Sequence, residues 1–133
     1  MNLQKINAIN NISTRMEKML VSFFDELIEQ FPNEADFVAL RVLISSGQAP
    51  MSVLLEVWLK NFEDDKKKIK ERNPEFFTSS SGTLSSIGKT SIVDTFRRVW
   101  KVIDLDEDNK KTIWKWVDNF VIIVEKYKKL MSE

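Results

Sequence analysis

The sequence contains no cysteine and no histidine. Without cysteine there are no disulfides and no thiolate metal sites, and the redox compartment stays open. Without histidine the commonest general base, the usual zinc ligand and the physiological pH switch are missing together. No Ser/His/Asp or Cys/His set can be assembled from such a chain. Glycine and proline are scarce, three of each in 133 residues, which favours long helices over turn-rich β architecture. Net charge is also lacking, because 20 Lys and Arg balance 20 Asp and Glu. That balance gives no bulk electrostatic drive toward nucleic acid or an anionic membrane. Residues 1–20 have no continuous apolar run of the kind a signal peptide needs. The C-terminal apolar stretch is interrupted by Lys115, Asp118, Asn119 and Glu125, so it is not expected to span a bilayer. The expectation is a soluble intracellular protein with no membrane, no cofactor and no metal.

What is present reads as helix. Ile113, Val117, Phe120, Val124, Tyr127 and Met131 recur at steps of three and four, one face of an α-helix. Trp114, Trp116, Val121, Ile122 and Ile123 widen that stripe, so this helix is expected to lie buried among others, with Phe120 and Val124 fully enclosed. Asp104, Asp106, Glu107 and Asp108 suit its positive N-terminus, and Lys126, Lys128 and Lys129 its negative C-terminus. A first helix carries Ile9, Ile12, Met16, Met19, Phe23 and Leu27, beside Leu20, Phe24, Ile28 and Phe31, and ends before Pro32. Its start lies between Leu3 and Arg15; Ser13 or Thr14 would cap it, Thr14 with Glu17 making a capping box. Asn33 is the expected cap of a second helix, which Gly47 closes. Pro50 opens a third, with Met51, Leu54, Leu55, Trp58, Leu59 and Phe62 on its apolar face. The run from Glu63 to Arg72 continues it as a solvated helix, with acid before base in Asp64–Lys68 and Glu63–Lys67. Asn73-Pro74 ends it, and Phe76 and Phe77 follow as an anchor. Residues 78–90 are rich in Ser, Thr and Gly and read as a flexible loop. A fourth helix from about Ser91 to Ile103 presents Ile92, Phe96, Val99, Trp100 and Ile103. The fold class is therefore all-α: a single domain and a bundle of about five helices. Residues 1–77 hold the N-terminal helices, 78–90 the loop and 91–133 a helical hairpin.

Each motif has a plainer reading beside it. Gly88-Lys89-Thr90 imitates a phosphate-binding loop, but five residues separate Gly82 from Gly88, Thr83 stands where glycine is required, and no apolar strand leads in. Asp104, Asp106 and Asp108 imitate a calcium loop, but Asn109 stands at the glycine place and Lys115 at the terminal glutamate place. Asp118 and Glu125 are the only acids inside an apolar stripe, too little for a carboxylate enzyme. Lys66, Lys67, Lys68, Lys70 and Arg72 form a candidate basic patch, although three acids precede it and Glu71 interrupts it. Trp114 and Trp116 are about 200° apart on a helix, so one of them faces away from the core. The first helix carries a stripe too long for a domain of this size to cover. Ile9, Ile12, Met16 and Met19, with Trp114 and Trp116, are therefore the candidate interaction surface.

Two segments carry a resemblance. Phe23-Phe24-Asp25-Glu26-Leu27-Ile28-Glu29-Gln30-Phe31-Pro32 resembles the opening helix of a family of small uncharacterised proteins of nucleocytoplasmic large DNA viruses. Phe96-Arg97-Arg98-Val99-Trp100, followed by Asp108-Asn109-Lys110-Lys111-Thr112-Ile113-Trp114-Lys115-Trp116-Val117, resembles that family's closing pattern, with Trp116 in place of tyrosine. The resemblance implies a viral origin and assigns no catalytic residue. Together these readings give a non-enzymatic interaction or structural protein, a virion component or host-interacting adaptor. Its expected partner is another protein or itself, as a homo-oligomer or complex subunit. The alternative is a nucleic-acid-associated helical protein using its lysine clusters.

Overall fold

The computed structural model describes residues 2–78, 90–101 and 105–133. Among these residues lie seven helices and short turns, and there is no strand. These are α1 (Leu3–Gln30), α2 (Ala35–Ser45), α3 (Met51–Lys60), α4 (Phe62–Lys70), α5 (Glu75–Thr78), α6 (Thr90–Lys101) and α7 (Glu107–Met131). The all-α class read from periodicity is the class observed. The count exceeds five because the segment after Pro50 breaks at Asn61 into α3 and α4, and because Phe76 and Phe77 lie in a helical turn of their own.

Two long helices form the frame. α1 and α7 run antiparallel: Phe23 meets Phe120 at 5.5 Å between ring centres, and Lys5 Nζ donates to the Glu133 carbonyl at 3.2 Å. α2 folds back on α1, with Phe37 against Phe24 and Phe31 and Arg41 bonded to Asp25. α4 runs antiparallel to α7 on its other side, through Glu63–Lys128, Lys66–Glu125 and Arg72–Asp118. Of the residues that spacing alone would pair within α4, Glu63 is taken up by Lys128 across the interface. α6 is tied to α2 by Thr95 Oγ1 donating to Asp36 at 2.6 Å and by Arg98 donating to Glu34.

The core is aromatic. Phe23, Phe24, Phe37, Phe96, Phe77, Phe76, Trp58 and Phe120 touch in sequence and close into a ring, with centre-to-centre steps between 5.1 and 6.2 Å. An apolar cavity of only about 20 Å³ lies among six of these rings, so packing is close to complete. Phe120 and Val124 are buried, as their mid-stripe positions predict, and so are Phe76 and Phe77. α7 is nevertheless less uniformly apolar in its surroundings than its sequence suggests. Lys115, Asn119, Ile122, Glu125, Lys126 and Lys129 form its solvent edge, and Ile122 is exposed there.

The helix ends follow capping chemistry, with shifts of a few residues from the sequence reading. Asn2 caps α1, its side chain accepting from the Lys5 amide at 2.8 Å, so Ser13 and Thr14 lie mid-helix. Glu34 rather than Asn33 is the cap position of α2, and Pro50 is the cap position of α3. Gly47 closes α2 with φ 79°. Asp106 caps α7 by accepting from the Asn109 amide at 2.7 Å, with Glu107 and Asp108 in the first turn and Lys128 and Lys129 in the last. The expected loop 78–90 and the Gly88-Lys89-Thr90 stretch lie outside the described residues, apart from Thr78, which ends α5, and Thr90, which begins α6. Asp104 and Ile103 also lie outside them.

Candidate binding surfaces

The candidate interaction surface does not survive as one patch. Met16 is fully buried and belongs to the core, because it sits one turn from Leu20 on the face of α1 that the bundle covers. Trp114 is buried too, packed on Phe76, Phe77 and Trp100. Trp116 is the outward-facing one of the pair, as their angular separation requires. It is half-buried against Phe23 and Phe120, and its Nε1 donates to Glu26. Ile9, Ile12 and Met19 are partly buried against the core. What stays open is the tip of α1. Ile6 is 40 % exposed and Leu3 71 % exposed, so the stripe 3, 6, 9, 12, 16 emerges steadily from the core toward the N-terminus. No residue of α1 before Met16 is among its buried ones. The same i, i+3 spacing could have identified Leu3 and Ile6 from sequence; Met16 could not have been separated from them.

The candidate basic patch is divided by its partners. Lys66 pairs with Glu125 at 3.3 Å and lies over the Phe62 ring. Arg72 holds Asp118 through two parallel bonds of 2.7 and 2.8 Å, a fork-to-fork pair that keeps the guanidinium charged and raises its pKa. Lys67 and Lys70 are exposed and Lys68 is half-buried; among the described residues none of the three has an acidic partner. Arg72 also leads into a second setting that the sequence did not bring to notice. A cleft of about 640 Å³ opens between it and the first turns of α7, with Trp100 and Trp114 in its wall and Lys110, Lys111 and Lys115 along its side. The lysine spacing is legible in the chain, but its meeting with Arg72 and Trp100 is tertiary.

Burial accounts for one further shift. Tyr127 is buried, which pushes its hydroxyl up to about 12, and its bond to Glu56 adds to the effect. Among the described residues no three Asp or Glu side chains gather to hold a metal ion. No helix among them is long and apolar enough to cross a membrane. No family model, no curated protein and no solved structure matches the chain.

Proposed function

We propose that the protein works without chemistry of its own, as a helical interaction module that pairs with a second copy through the tip of α1. The observation that carries this is the apolar stripe of α1, whose exposure rises from buried Met16 to Leu3 at 71 %. Leaving such a stripe in water costs free energy that a partner helix recovers. The neighbouring side chains favour a copy of the same chain as that partner. Residues 2–14 carry a single charge, Lys5, among Asn2, Gln4, Asn7, Asn10 and Asn11. Two such helix tips bring only one Lys5 each as like charge, and the molecule's zero net charge sets up no long-range barrier. An isologous two-fold contact is the ordinary form for such a surface. The resemblance of the two terminal segments to proteins of large DNA viruses extends this reading to a virion component or host-interacting adaptor, in which pairing builds a structural unit.

Sedimentation equilibrium tests the pairing. The expected wild-type species is a dimer, and Leu3→Asp with Ile6→Asp should give a monomer of unchanged helicity. Leu3 is mostly in water, Ile6 is 40 % exposed and neither belongs to the buried core, so the variant tests the contact and not the core. A wild-type monomer at high concentration would overturn the reading.

A further inference from the structure

We propose that the second copy receives the tip of α1 on the outer face of its own α2, so that one two-fold contact covers both faces at once. This rests on the pairing proposed above and names what the tip meets. Two observations carry it, the bare end of α1 and the uncharged back of α2. α1 has 28 residues and α2 has 11, so α2 runs along about 16 Å of a helix about 42 Å long. Phe37 on Phe24 and Arg41 bonded to Asp25 hold α2 beside the C-terminal half of α1. Its closing turn at Gly47 faces Asn10, Ser13, Thr14 and Glu17 across a cleft. Ile6 stands 18 residues before Phe24, about five full turns, so the two point the same way from α1. Leu3 falls on the helical wheel between Phe24 and Asp25. The exposed tip therefore continues the strip of α1 that α2 covers, beyond the point where α2 ends.

The back of α2 is the matching part. Ala39 lies about 200° round the helix from both Phe37 and Arg41, so it points away from α1. Around it Ala35, Val38, Val42 and Leu43 are exposed, Val42 at 52 %. No charge interrupts this arc, because the two charged residues of α2 turn to its flanks: Asp36 accepts from Thr95, and Arg41 holds Asp25. In a chain with 30 % charged residues, an uncharged apolar arc along a whole helix marks a contact face.

A two-fold axis across α1, beyond the end of α2, satisfies both surfaces. The second α1 then runs antiparallel to the first, with its Leu3 and Ile6 on Ala39 and Val42. The second α2 fills the bare strip of the first α1 in return. Two α2 helices end to end measure about 33 Å, so both fit along one α1. Tip meets back and back meets tip, the reciprocity that an isologous contact requires. Lys5 is drawn aside to the Glu133 carbonyl, and Ala35 and Ala39 are small enough to let a second helix approach closely. A contact of tip on tip would use Leu3 and Ile6 alone. Tip on back adds the α2 arc and is repeated by symmetry, toward the roughly 800 Å² that each partner of a stable dimer covers.

Sedimentation of two variants and of their mixture tests this. The wild type should be a dimer. Ile6→Lys should be a monomer, and so should Ala39→Glu with Val42→Glu, each with unchanged helicity. An equimolar mixture of the two variants should sediment as a dimer again. One of its two contacts is wild type on both sides, and the other sets the introduced lysine against the introduced glutamates. The chain has no cysteine, so cross-linking gives a second measurement without background. Ile6→Cys with Ala39→Cys should yield a disulfide-linked dimer on oxidation, and Ile6→Cys alone should not. A dimer that persists in the α2 variant, or that Ile6→Cys alone cross-links, would overturn this contact and leave the pairing tip on tip. A mixture that stays monomeric would overturn it as well. A wild-type monomer would overturn the pairing itself, and this contact with it.

Discussion

Single residues show how burial decides chemistry in this chain. Tyr127 is its only tyrosine, so its ionisation can be followed without overlap. The ring is buried beside α3 and its hydroxyl donates to Glu56, so the neutral form is favoured in the folded state. A raised folded pKa means that the stabilisation is whole below pH 10, the unfolded value, and is lost as pH rises toward about 12. Phenolate absorbance should therefore appear near pH 12 in the native protein and near pH 10 in denaturant. The wild type should also lose thermal stability across that window more steeply than Tyr127→Phe. A native titration at the ordinary tyrosine value would mean the ring is wet. Phe120 makes the complementary case. It touches Phe23, Trp58 and Trp116 and has no polar handle, so Phe120→Ala removes volume that neighbours cannot refill. The expected cost is about 3–5 kcal/mol in chemical denaturation. An unchanged midpoint would take Phe120 out of the core.

At the scale of elements, capping and periodicity carried most of the fold, and tertiary competition accounts for the rest. α7, the all-α class and the stop at Pro32 were legible because apolar spacing, acidic first turns and proline are local signals. The start of α1 was not, because Asn2 and Thr14 are both acceptable caps and only packing selects between them. The break at Asn61 was hidden by a run of residues that all tolerate helix. The expected Glu63–Lys67 pair gives way to Glu63–Lys128 because α7 lies alongside α4. The candidate surface was half legible for a similar reason. A stripe shows which face is apolar, but Met16 and Leu3 differ only in how far the neighbours reach. Gly47 is a local signal whose cost can be measured. A side chain there would meet nothing within 4 Å, so the whole penalty of Gly47→Ala comes from φ 79°. It should destabilise by about 1–2 kcal/mol in a denaturant titration. A neutral result would mean that α2 ends in another conformation.

The whole molecule is an antiparallel frame with a different surface at each end, and its N-terminal tip is the part the fold depends on least. The α1 stripe has no buried residue before Met16; its contacts there are the half-buried Ile9 and Ile12 and the exposed bond from Lys5 to Glu133. Thr14 and Glu17 hold the spacing of a capping box that the observed helix runs through. Removing residues 1–12 should therefore expose a second start rather than unravel α1. With Thr14 free to accept from the Glu17 amide, the helix restarts one residue before Arg15 and keeps Met16, Leu20, Phe23, Phe24 and Leu27 in place. The loss is the partial burial of two isoleucines, about 2–3 kcal/mol. Cooperative unfolding should survive at a lowered midpoint, and the truncated chain should sediment as a monomer. Adding Thr14→Ala to the truncation should then cost about 1 kcal/mol more, whereas in the full-length chain, where Thr14 lies mid-helix and caps nothing, the same substitution should have little effect. Equal costs in the two backgrounds would show that the box is never used, and loss of cooperative unfolding on truncation would make the tip part of the core.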